Sequence, residues 1–246
     1  MSAARENQLI ANSESHRRAG ESRIETADSA WKSLYRVGGG ADLAVLVFIP
    51  IQMIVFFIWP PPSTVTGWFT LFQGNALVGL LDMDLLLIVA YVLSGLVFLA
   101  LYAALRRASE SLMAIALTLQ LVGITTYFAS TTAFEMLSLS SQFAMATTDA
   151  ERSTLLAAGQ AMLAIWQGTA FDVSYILGAV AQLIVSAVML RTGIFGTAAA
   201  YAGLLSGAAM LVPPTAGTVG LVLSLVSLVP LVAWLILVAR RLLRLG

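Results

Sequence analysis

The stretch Asp84–Arg107, DLLLIVAYVLSGLVFLALYAALRR, decides the fold. From Leu85 to Leu105 it carries no charge, and it stops at a pair of arginines. As a helix that run is ~32 Å long at 1.5 Å per residue. The hydrocarbon core of a bilayer is ~30 Å thick. A soluble helix of this length needs a polar face, and this one has none. The stretch therefore reads as a membrane span.

The same reading, carried outward, predicts six spans at about 41–59, 84–105, 111–134, 171–190, 194–212 and 218–238. With the N-terminus inside, one side collects Arg5, Arg17, Arg18, Arg23, Lys32, Arg36, Arg106, Arg107, Arg191, Arg240, Arg241 and Arg244. The other side keeps only Arg152. Basic residues near span ends stay cytoplasmic, so this asymmetry predicts that both termini are cytoplasmic. The expected fold is all-α: a polar tail over 1–36, then a six-helix transmembrane bundle over 37–246.

Composition agrees with a bilayer as solvent. The chain has 246 residues, 59% hydrophobic and 11% charged, with mean hydropathy +0.89. A soluble domain carries about 25% charged residues. The formal net charge is zero, which gives no field for nucleic acid. There is no cysteine, so thiolate chemistry and disulfides are excluded. The one histidine, His16, lies in the polar tail, which leaves no histidine to ligate a metal or haem inside the bundle. No Walker or dinucleotide motif is present. The first long apolar run starts after ~40 polar residues, unlike a signal peptide.

Several segments need a local reading. Ser22–Tyr35 is either a short surface helix or the ordered end of a loose tail. Gly38, Gly39 and Gly40 are expected to break the chain before the first span. Pro60, Pro61 and Pro62 end that span, since consecutive prolines cannot continue a helix. Residues 63–80 are apolar but punctuated by Gly67, Gly74 and Asn75, and read as an outer interfacial segment. Residues 135–167 form the longest extracytoplasmic piece. Either they project as a helical hairpin or the chain bends near Gly168. Pro50 and Pro230 interrupt the first and last spans.

The candidate ligand-binding residues are polar groups in or beside these spans. Asp84, Asp172 and Glu135 would make an acidic outer mouth able to attract cations or protons. The plainer reading is topological, because retention of basic residues inside leaves the outside acidic. Asp84 and Asp172 stand ~33 and ~28 Å from Arg106 and Arg191 along their helices, near the outer boundary, where a carboxylate also favours the helix N-terminus. On one continuous helix Asp82 and Asp84 would point about 200° apart, so one pocket would not hold both. Deeper lie Gln52, Gln120, Gln182 and Tyr127, which either line a substrate path or hydrogen-bond across helices and lock the bundle. Ala199, Gly203 and Gly207 form a small-residue stripe for close helix packing, within the chain or with another copy.

LLDMDLLLI (80–88), LYAALRRASESLMAIAL (101–117) and WQGTAFDVSYILG (166–178) resemble a family of uncharacterised six-helix bacterial membrane proteins filed as a domain of unknown function. The resemblance covers about Tyr35 to Leu243. It implies a bundle in the cytoplasmic (inner) membrane. It implies no established activity and supplies no catalytic residue.

The reading favoured is a non-enzymatic membrane protein without cofactor that binds or passes a small or lipidic molecule. Its partners would be the bilayer and a second copy of itself. The alternative is an accessory or scaffold subunit that docks on a membrane-protein partner. A third reading, a lipid-modifying enzyme using Asp82 or Asp84 with a divalent metal, has the least support.

Overall fold

A computed structural model describes residues 31–246, so most of the polar tail, with His16 and the first four arginines, lies outside the described residues. The described residues are helical, without strands. The helices are α1 (Lys32–Ile58), α2 (Val65–Gly74), α3 (Ala76–Asp82), α4 (Leu85–Leu105), α5 (Glu110–Ser130), α6 (Ala133–Met145), α7 (Asp149–Trp166), α8 (Thr169–Thr192), α9 (Thr197–Ala209) and α10 (Gly217–Leu245). Five stretches among them are long and apolar enough to cross a membrane: α1, α4, α5 running on through α6, α7 with α8, and α10.

The expected span at 194–212 is shorter than its apolar sequence suggested. Gly193 and Gly196 take positive φ before it, and Pro213–Pro214 follow it, leaving α9 with 13 residues. That is ~20 Å of helix, below the ~30 Å of a bilayer core.

The three glycines near the start do not break the chain. Gly38, Gly39 and Gly40 lie inside α1. A Cβ on Gly38 would collide with the Cβ of Ala100, and one on Gly39 would come within 2.7 Å of Leu243 Cγ. Glycine costs a helix about 1 kcal/mol relative to alanine. Here the missing side chains let α1 press against α4 and α10, and the packing offsets that cost.

Six helices close into a ring. α1 packs on α4, α4 on α5, α5 on α8, α8 on α9, α9 on α10, and α10 returns to α1. The end of the ring bearing Lys32, Arg36, Arg106, Arg191 and Arg240 is filled by one apolar core. Tyr35, Leu101, Leu105, Met113, Met189 and Leu242 are its largest fully buried members. The outward faces carry Val47, Ile54, Phe57, Val92, Leu121, Leu205, Val226 and Val229, an apolar belt suited to lipid.

The opposite end wears a cap of four helices with its own core around Trp68, Phe69, Phe72 and Met136. Local capping explains these helices. Thr64 accepts from Gly67 N–H at 3.1 Å, and Asn75 accepts from Leu77 and Val78 N–H at 3.1 and 3.2 Å. Residues 63–80 thus fold as α2 and α3. Thr148 and Glu151 form a reciprocal capping box that starts α7. Both expectations for 135–167 meet here. α6 and α7 are a helical hairpin, and the chain breaks at Gln167–Gly168 before α8 begins. The hairpin packs on α2, with the Ser140 hydroxyl donating to Phe69 O at 2.9 Å.

Candidate functional site

Between the filled basic end and the cap, the ring helices line a half-open cavity of about 410 Å³. Every ring helix or its terminal turn lines it. Phe48, Phe56, Phe98, Phe171 and Trp234 make much of the wall. Helix spacing puts polar groups among them. On α8, Phe171, Ser174, Tyr175, Gly178 and Gln182 recur at intervals of one to four residues along one face. On α4, Tyr91, Ser94 and Phe98 do the same.

The polar groups largely satisfy one another across helices. Gln120 Nε2 donates to Ser94 Oγ at 3.0 Å, and Ser94 Oγ donates to Tyr91 O at 2.7 Å. Gln182 Nε2 donates to Ser206 Oγ on α9. Gln52 Nε2 donates to Leu81 O at 3.1 Å. The rings of Tyr91 and Tyr127 stack at 3.8 Å and 1°. The Tyr91 hydroxyl lies beside Ser174, and that of Tyr175 beside Ser227. Among the cavity's lining residues three buried atoms are left without a hydrogen-bond partner: Tyr127 Oη, Gln52 Oε1 and Trp234 Nε1. An unpaired buried polar atom costs about 1–3 kcal/mol, so these are the atoms that gain most from a guest.

Four sequence-predicted residues, Gln52, Gln120, Gln182 and Tyr127, therefore line one cavity. Asp84 sits behind them. It is 5% exposed, stands at the N-terminal boundary of α4 with φ 68°, and is the only non-glycine residue with positive φ among those described. Its Oδ2 accepts from Trp166 Nε1 at 2.7 Å, tying the cap to the ring. It lies close enough to Tyr91 and Tyr127 to act on both electrostatically. Burial pushes the Asp84 carboxyl up to about 7, with the Trp166 hydrogen bond opposing and Asp82 adding. Asp82 is fully buried, neither oxygen has a hydrogen-bond partner, and burial lifts it to about 6.

The geometry of this acidic pair departs from the sequence reading. The helix breaks between Asp82 and Asp84, one ending α3 and the other preceding α4, and the two carboxyls sense each other. Asp172 is half-buried in the first turn of α8 and accepts from Thr215 Oγ1. Glu135 is exposed in the first turn of α6. Glu135 does not line the cavity, and the three acids do not form a single cluster. Among the described residues no three His, Cys, Asp or Glu side chains come together as a metal site.

Ala199, Gly203 and Gly207 face inward. A Cβ on Gly203 would strike Ser186 Oγ and lie 2.6 Å from Trp234 Cδ1, and one on Gly207 would lie 2.9 Å from Leu183 Cγ. The close approach is made to α8 and α10 of the same chain.

Sequence reasoning passed over Tyr91, Ser94, Ser174, Tyr175 and Ser227. Their signal was legible as polar and aromatic residues at helical spacing inside apolar spans. It also passed over Asp42. This residue is 0% exposed, and neither of its carboxylate oxygens has a hydrogen-bond partner.

The chemistry on offer is recognition. Amides, hydroxyls and phenols can orient a small polar head, and the apolar wall can hold an apolar body. Set against known protein families, curated proteins and solved structures, the chain matches none of them.

Proposed function

We propose that this protein is a six-span inner-membrane protein, both termini cytoplasmic, that binds or passes a small amphipathic or lipidic molecule through its ring of helices. The carrying observation is the cavity of about 410 Å³, apolar in its walls and lined by Gln52, Gln120 and Tyr127. Its size lies within the range of small-molecule sites, about 300–1,000 Å³. In this reading α9 completes the ring as a short sixth crossing, and the arginine-bearing end faces the cytoplasm.

The test is native mass spectrometry of protein extracted gently from its own membranes, beside the variant Gly178→Leu. Gly178 lines the cavity, and its nearest neighbour to an added Cβ is Gln120 Oε1 at 3.7 Å, so leucine fills space without a backbone clash. A reproducible bound mass that is lost in Gly178→Leu is the expected result. An unladen wild-type protein sinks the reading.

A second reading, an accessory subunit, draws on α7. Of its 18 residues only Gly159 is buried, which leaves a long surface for a partner protein. Mild-detergent capture that returns this chain alone would remove that reading.

A further inference from the structure

Asp42 lies on the wall side of α1. Counting along the helix, Val45, Ile49, Gln52 and Phe56 follow at +3, +7, +10 and +14, one helical face, and all four line the cavity. Asp42 is therefore the next polar position on that face, one turn beyond the cavity toward the basic end. It is 0% exposed, and both oxygens are buried without a hydrogen-bond partner.

The neighbouring elements bring it no counter-charge. α10 brings the backbone amide of Ala239 toward it, outside hydrogen-bonding geometry, a dipole and not a charge. The ionisable residues of α10 are Arg240, Arg241 and Arg244, and those of α4 are Tyr91 and Tyr102. α1 itself carries Lys32, Tyr35 and Arg36, and α3 carries Asp82 at the far end. Neither Asp42 oxygen accepts a hydrogen bond from any of them. Arg36, the nearest cation along α1, is ~9 Å away along the axis. A lone carboxylate in apolar surroundings needs a proton or a bound cation to neutralise it. Acids inside a membrane domain mark ion paths and proton relays.

We propose that Asp42 is a proton-binding site reached through the cavity. The reaction is simple uptake and release: one carboxylate oxygen takes a proton from water admitted to the cavity and returns it there. The proposal rests on reading the cavity as a functional passage.

The experiment uses the full chain in its native membranes and dicyclohexylcarbodiimide, which adds covalently to protonated carboxyls in apolar sites. Peptide mass spectrometry reads the adduct residue by residue. Wild type, Asp42→Asn, Gly178→Leu and Gln52→Glu are compared, the last placing a reporter carboxyl in the cavity wall. The expected result is an adduct at position 42 that is absent in Asp42→Asn and forms at least fivefold more slowly in Gly178→Leu. An unmodified Asp42 in Gln52→Glu, where the reporter is modified, overturns the proposal. So does an Asp42 adduct that forms equally fast in Gly178→Leu, since the proton path would then bypass the cavity. The ligand reading fails separately, on the absence of a bound mass.

Discussion

Gly38 and Gly40 stand two residues apart in one helix, and the ring geometry assigns them opposite responses to the same substitution. At Gly40 an added Cβ meets nothing within 4 Å. Gly40→Ala should therefore return only the helix propensity, a gain of about 0.5–1 kcal/mol. At Gly38 the added Cβ would overlap the Cβ of Ala100, an atom fixed to the α4 backbone that cannot rotate away. Overpacking of this kind costs about 1–3 kcal/mol. Set against the same propensity gain, Gly38→Ala should lose up to about 2 kcal/mol, and the two variants should differ by about 1–3 kcal/mol, roughly 5- to 150-fold in folding equilibrium. The assay is the unfolding midpoint in a mixed-micelle titration with sodium dodecyl sulfate, followed by circular dichroism. If the two variants shift the midpoint equally, α1 does not press against α4 at Gly38, and the glycines are the chain break that the sequence suggested.

Other outcomes follow from the acidic end. Asp82 and Asp84 hold protons to about pH 6 and 7 when folded, whereas an unfolded aspartate loses its proton near pH 3.9. The folded state binds more protons in that window, so stability is greatest below about pH 4 and falls as pH rises toward 7. Unfolding midpoints measured from pH 4 to 8 should show this slope, and Asp84→Asn should flatten it. Trp166→Phe removes the donor held 2.7 Å from Asp84 and should cost about 1–3 kcal/mol in the same titration while steepening the pH slope. Orientation is testable because the chain has no native cysteine. Ser109→Cys should resist a membrane-impermeant maleimide in intact cells, and Thr147→Cys should react with it.

Much of the fold was legible because a bilayer leaves few solutions. Uncharged runs between charged ends, as in Asp84–Arg107, become helices since lipid offers backbone groups no other partner. What stayed hidden depends on neighbours distant in sequence. Gly38 is a breaker by propensity and a contact point only because Ala100 arrives beside it. α9 is as apolar as its neighbours, yet Gly196 and Pro213 decide where its helical turns stop. The deep amides were visible as polar residues in apolar spans, and the ring brings Gln52, Gln120 and Gln182 to one cavity. Asp84 was visible as a carboxylate at a helix start, but its burial comes from Trp166 on α7, 82 residues away. Asp42 sits close to a basic tail and reads like an ordinary boundary acid. Its burial appears only once α4 and α10 pack against α1.

The most direct test of a guest-holding ring is anomalous diffraction from crystals of the protein grown in lipid and soaked with a long-chain bromoalkane. The account predicts a bromine peak between Tyr91, Gln120 and Trp234, absent in Gly178→Leu crystals. Bromine peaks confined to the outer apolar belt, with the space between those side chains closed, would contradict it.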